Sequence, residues 1–186
     1  MRIFASACLL AALAFPALSA TLGDDGLHKP DWLRDTFRVM AEDLAEANAE
    51  GKRMLVIFEQ RGCLYCSKMH EEIFPDPQID ALIREHYFVV QMNLFGDVEV
   101  TDFDGTVLSE KDMAARWGVL FTPTMMFMPE AIPEGGTAAQ AAVAVMPGVF
   151  SKLTTRNLLT WVLERGYDSG EHFQKYHARH LDGATE

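Results

Sequence analysis

The sequence predicts an α/β domain in which helices flank a central mixed sheet. Two continuous apolar runs of strand length, MLVIF (Met54–Phe58) and YFVVQMNLF (Tyr87–Phe95), have the character of strands buried on both faces. Helical patterns precede, separate and follow them, and two more apolar strands, in FTPTMMFM (Phe121–Met128) and AAVAVM (Ala141–Met146), come in succession. The chain has 186 residues, 49% hydrophobic and 23% charged, enough for one sizeable core, and this composition excludes a disordered, collagenous or cystine-scaffold protein.

The elements follow in order. Trp32, Leu33, Phe37, Met40 and Leu44 fall at helical spacing, which predicts a helix from Pro30–Asp31 to a stop at Gly51. After the MLVIF strand, CLYCSKMHEEIF reads as a helix beginning at its cysteines. Asp76–Pro77 supplies a cap and a first-turn proline for a helix over Pro77–His86. Val98–Leu108 alternates around Asp104–Gly105 as a small hairpin, and Ser109 with Asp112 caps a helix through Trp117 that Gly118 ends. Pro129–Gly136 is a loop between the last two strands, and Thr155–Tyr167 is an amphipathic helix. Strand, helix, strand, helix, strand, strand, helix is a layered α/β order.

The first twenty residues are expected to stand apart from this domain. Met1–Arg2, an uncharged apolar run, Pro16 and the small residues of ALSA describe a secretory signal peptide, with cleavage after Ser19 or Ala20. Residues 21–29 are then a linker, 30–167 the domain and 168–186 a tail with helical character from Phe173, Tyr176 and Leu181. The expected location is the periplasm, with a soluble mature chain, since no later run reaches ~18 apolar residues. Cleavage removes Cys8 and leaves one pair, Cys63 and Cys66, in a compartment where disulfides persist. The net charge of −11 gives a phosphate backbone little to bind, so no nucleic-acid partner is expected.

Cys63–Leu64–Tyr65–Cys66 is the candidate site. A thiol at a helix N-terminus meets unpaired N–H groups and the positive end of the helix dipole, which favour thiolate. The spacing lets Cys66 reach Cys63 across one turn, so Cys63 can attack a partner's disulfide and Cys66 can resolve the mixed disulfide. Arg61 and Lys68 favour a thiolate; Glu59, Glu71 and Glu72 oppose it. A structural zinc site needs a second ligand pair, and a disulfide closing so small a loop stabilises little. Copper handling is the rival, because Met69, His70, Met125, Met126 and Met128 are near in sequence to the cysteines or to Pro123 and soft ligands suit Cu(I). In the tail, His172, His177 and His180 raise a further metal reading against that of a packed amphipathic helix. Asp102 and Asp104–Gly105 faintly echo a calcium loop, with a turn as the alternative.

Pro123 enters a strand where a proline forfeits a ladder hydrogen bond. Taken in order, LVIFEQRGCLYC, WGVLFTPTMMFM and PGVFSKLTTRNLLTWVL resemble the thioredoxin superfamily over roughly residues 30–167. Within it, EQRGCLYC, HEEIFPDPQID and TDFDG resemble the SoxW-type periplasmic thioredoxins of bacterial sulfur-oxidation clusters. The resemblance implies a thioredoxin fold, a cis bond before Pro123 beside the cysteines, a substrate-binding backbone at Thr122, and Gly148 as the glycine of the neighbouring loop. It implies a thiol-disulfide oxidoreductase that needs no cofactor beyond the Cys63–Cys66 disulfide, acts on protein disulfides as a monomer and is re-reduced by a membrane electron carrier. An oxidase or isomerase is the alternative direction, since the Leu64–Tyr65 dipeptide and Gly62 depart from the cytosolic thioredoxin motif. Ile57 falls where that family places a buried Asp, and Glu59, with Tyr65 and Arg61, is a candidate modulator.

Overall fold

A computed structural model describes residues 20–132 and 134–181. The expected signal peptide and its cleavage point therefore lie outside the described residues, apart from Ala20.

The described residues open with a short hairpin, β1 (Thr21–Leu22) against β2 (His28–Lys29), in the segment expected as a linker. Strand β3 (Leu33–Arg34) follows, then helix α1 (Met40–Ala49) and strand β4 (Arg53–Glu59). Helix α2 (Leu64–Lys68) continues as a π-helical turn, Met69–Ile73, and leads to α3 (Pro77–His86) and β5 (Tyr87–Asn93). The hairpin β6 (Glu99–Thr101) and β7 (Val107–Ser109) precedes α4 (Glu110–Arg116) and β8 (Thr124–Phe127). Helix α5 (Ala138–Ala141), β9 (Ala144–Pro147), α6 (Lys152–Leu163) and α7 (Phe173–Arg179) complete the order.

Five strands form the main sheet in the order β3-β5-β4-β8-β9. β3, β5 and β4 run parallel, while β8 and β9 are antiparallel to their neighbours, so the sheet is mixed. β4 is central because six of its seven residues are buried, and strand alternation divides them between two cores. Leu55 and Ile57 face a layer with Met69, Phe74, Ile79, Leu159 and Trp161. Met54, Val56 and Phe58 face Met40, Leu44, Met113 and Trp117. Each face is thus covered by helices, which is why MLVIF carries no polar residue.

Local chemistry sets the element ends. Asp76 caps α3 by accepting from the Gln78 N–H with Pro77 in the first turn, and Ser109 caps α4 by accepting from the Asp112 N–H. Ser151 starts α6 earlier than the apolar spacing predicts, accepting from the Thr154 N–H. The Thr137–Gln140 capping box stabilises α5, which lies between the expected loop and the expected strand and takes Ala141 from the latter.

The helix expected from residue 30 is corrected: it begins only at Met40. Leu33 and Arg34 instead pair with Val89 and Val90 on the edge of β5, and Arg38 takes a left-handed φ of 56° that turns the chain into α1. Strand pairing and the seat of Trp32 in the core outweigh the helical spacing, and Phe37, counted in that apolar stripe, is 92% exposed. Among the described residues no helix is long and apolar enough to cross a membrane.

Candidate active site

The site forms where β4 gives way to α2. Gly62 adopts a φ of 71° and turns the chain so that Cys63 becomes the N-cap of α2. Its Sγ accepts the Cys66 N–H at 3.0 Å, an orphan helix donor that faces the sulfur because of the C-x-x-C spacing. Cys63 and Cys66 are joined in a disulfide, their Cα atoms 5.2 Å apart. Cys66 is 1% exposed and Cys63 8% exposed, so the first sulfur is the one nearer solvent.

The entry to β8 closes over this pair. The Thr122–Pro123 peptide is cis, and the Thr122 hydroxyl donates to Cys63 Sγ at 3.3 Å. On the other side, the Gly148 N–H donates to the Pro123 carbonyl at 2.7 Å, with Gly148 at a φ of 91°. Cys63, Thr122, Pro123 and Gly148 therefore form one continuous chain of contacts. Leu64, Tyr65, Leu120, Phe121 and Phe150, from the three segments that supply these groups, are largely exposed.

The candidate modulators separate. Tyr65 points to solvent, and Lys68 pairs with Glu72. Arg61 donates to the backbone carbonyls of Asp24 and Asp25, so its guanidinium fastens the N-terminal hairpin rather than a thiolate. Glu59 is buried, accepting from Gln91 Nε2 at 2.8 Å and lying 2.6 Å from His70 Nε2. It shares a strand face with Ile57, two residues towards the cysteines, and His70 follows Cys66 by one helical turn.

His28 stacks on His70, ring centroids 4.4 Å apart and planes within 10°. Burial, and secondarily the neighbouring His70, hold the His28 pKa below its ordinary value against the pull of Glu59 and Glu71. Sequence reasoning missed His28 and Gln91, because residues 28, 59, 70 and 91 meet only through the parallel pairing of β4 with β5 and the docking of β2. The buried polar position Gln91, inside an otherwise apolar strand, was the available signal.

The soft-ligand set is not brought together. Met125 lies in one core and Met126 and Met128 in the other, on opposite faces of the sheet, while Met69 is fully buried among apolar side chains. In the tail, His177 bonds Asn157 and His180 bonds the Tyr176 carbonyl, so their rings serve the packing of α7 on α6. Asp102 and Asp104 both bind Arg116, and the hairpin turn they shape is the turn reading of that motif.

A strand–dithiol–helix junction facing a cis-proline loop, on a mixed sheet covered by helices, defines a thioredoxin-fold protein. The family model described as a thioredoxin-like domain matches residues 40–144, more than half of the chain. The chain belongs to that family. Its architecture is similar to a thioredoxin-fold protein from Helicobacter pylori, 17% identical, with a TM-score of 0.55 over 72% of this chain and 87% of that one. It is also similar to a thioredoxin from Thermus thermophilus, 24% identical, with a TM-score of 0.53 over 72% of this chain and 90% of that one. No curated protein gives a significant match.

Proposed function

We propose that the protein is a periplasmic thiol-disulfide oxidoreductase whose reduced Cys63–Cys66 pair reduces disulfides in exported redox or sulfur-oxidation proteins. The observation that carries this is the contact chain Cys63–Thr122–Pro123–Gly148 around the more accessible cysteine. The Cys63 thiolate attacks one sulfur of the substrate disulfide, and the other substrate sulfur leaves as a thiolate. Cys66 then gives up its proton and attacks Cys63 Sγ, which releases the second substrate sulfur and forms the Cys63–Cys66 disulfide. Two electrons pass to the substrate, and its two thiolates take up protons from solvent and from the thiol of Cys66.

The hydroxyl of Thr122 and the N-terminus of the helix stabilise the attacking thiolate. The cis geometry leaves the Thr122 backbone to pair with an extended substrate segment, and the exposed Leu64, Tyr65, Phe121 and Phe150 offer that segment apolar contact. No cofactor beyond the disulfide enters these steps. The SoxW-type motifs EQRGCLYC, HEEIFPDPQID and TDFDG support the sulfur-oxidation setting, and the signal-like residues 1–20 support export. In an oxidising compartment the dithiol is regenerated by a membrane carrier that supplies two electrons and two protons. A monomer suffices, since both cysteines and the cis-proline come from one chain.

The deciding experiment is Cys66→Ala trapping in the native cell. Mixed disulfides through Cys63 with exported partners are expected, and they disappear in the Cys63→Ser, Cys66→Ala double variant. The reductant direction is overturned if the purified dithiol fails to reduce a model protein disulfide, or if its potential approaches the ~−120 mV of a strong periplasmic oxidant.

A further inference from the structure

The His28, Glu59 and His70 side chains bring one ligand atom each to within 4.8 Å of one another, from three different elements. Glu59 and His70 are almost completely buried, at 1% and 3% exposure, and His28 closes the group from the half-buried side. Among the described residues no lysine or arginine pairs with the Glu59 carboxylate, and the His70 ring is its one basic neighbour, with Nε2 at 2.6 Å. Lys29, the nearest ammonium in the network, is spent on Gln91 and Asp25. A sealed carboxylate needs a compensating positive charge.

We propose that His28, Glu59 and His70 form a binding site for a divalent transition ion of the Zn2+ class, separate from the dithiol. Two imidazoles and one carboxylate are a donor set that zinc accepts, with a fourth position left for water. The absence of sulfur from the set disfavours Cu(I). Gln91 is the supporting outer group: its Nε2 donates to Glu59 Oε2 and to the His28 carbonyl, and Lys29 fixes its Oε1. That bond orients the carboxylate so that Oε1 faces the imidazoles.

Stacked rings in parallel planes do not aim two lone pairs at one point, so coordination turns His28 out of its stack. The ring is free to turn, because neither of its nitrogens has a hydrogen-bond partner among the described residues. The ion takes the place of the proton held between His70 Nε2 and Glu59 Oε1, and that proton passes to solvent. Once bound, it ties the N-terminal hairpin to β4 and to the π-helical turn one turn beyond Cys66.

The test uses the full mature chain in its oxidised form, in which the cysteines are engaged with each other and supply no thiolate. Titration with Zn2+ alone is expected to show one equivalent bound and a raised melting temperature, and Co2+ to give the visible absorption of a four-coordinate site. His28→Asn, at a half-buried position of the N-terminal hairpin, is expected to weaken binding at least tenfold. The double variant His177→Asn, His180→Asn is expected to leave binding unchanged. The site is overturned if no equivalent binds, if His28→Asn binds as wild type does, or if the tail variant abolishes binding. Because disulfide reduction is read separately on the reduced protein, loss of this site leaves the proposed function standing, and the reverse also holds.

Discussion

The Thr122 hydroxyl donates to Cys63 Sγ at 3.3 Å, so the residue before the cis-proline touches the sulfur that begins the proposed reaction. A donor aimed at sulfur favours the thiolate over the thiol and lowers its pKa. Thr122→Val keeps the shape and removes the donor. A hydrogen bond of about 1 kcal/mol corresponds to roughly half to one pH unit, so the Cys63 pKa is expected to rise by that much. Thiolate absorbance against pH, in a Cys66→Ala background that isolates Cys63, measures it. An unchanged titration means that the hydroxyl does not act on the thiolate.

Gly148 presents its N–H to the Pro123 carbonyl at a φ of 91°. A Cβ there meets no atom within 4 Å, so the penalty of Gly148→Ala lies in backbone strain alone, about 1–2 kcal/mol. Gly51, after α1, has a φ of 69° and equally open surroundings, which makes Gly51→Ala the matched control. Both variants are expected to melt a few degrees lower. Only Gly148→Ala, by relaxing the loop that braces Pro123, is expected to slow disulfide reduction. Equal rates in the two variants exclude this bracing role.

The sequence was most legible where local chemistry decides the outcome. Asp76–Pro77 and Ser109 state their caps outright, and the length of the apolar run MLVIF suits a buried strand. It was least legible where partners distant in sequence decide. Leu33 has helical spacing with Met40 yet pairs as a strand with Val89, which no window of local sequence contains. The cysteine pair was legible because both residues sit on one helical turn. Glu59 stands out in the sequence as an acid beside the cysteines, but its partners do not, since His28, His70 and Gln91 approach it only in the folded sheet.

Asp102 tests the scaffold apart from the site. Its buried carboxylate accepts from the Phe103 and Ala138 N–H groups, from Arg116 and from Trp117 Nε1, each at 2.8 Å. These bonds fasten the β6–β7 hairpin, α4 and α5 together. Asp102→Ala leaves buried donors unpaired and is expected to cost about 3–5 kcal/mol in urea unfolding. The rate of the proposed disulfide reduction per folded molecule is expected to stay at the wild-type value, because none of these groups reaches the cysteines. A small stability loss with a large rate loss contradicts that division.

Stability is expected to fall as pH rises through the range just above the ordinary carboxylate value, and Asp43 is the reason. Burial pushes its pKa up from 3.8 to about 6; the Thr36 hydroxyl and Arg38 pull it down, while Glu42 and Glu46 push it further up. The folded state therefore holds this proton more tightly than the unfolded chain does. Between pH 3.8 and about 6 the folded protein binds more protons, and stability declines with rising pH across that window before levelling off. Burial raises the Glu110 pKa as well, so the wild-type pH profile alone does not isolate Asp43. Asp43→Asn does, because the amide keeps an acceptor for Thr36 and loses the charge. At pH 7 the variant is expected to be more stable than wild type by on the order of 1 kcal/mol, less than the full ~1.4 kcal/mol per pH unit because solvent screens part of the charge. At pH 4 the two should converge. A constant difference between them across that range assigns the effect to packing instead of the proton.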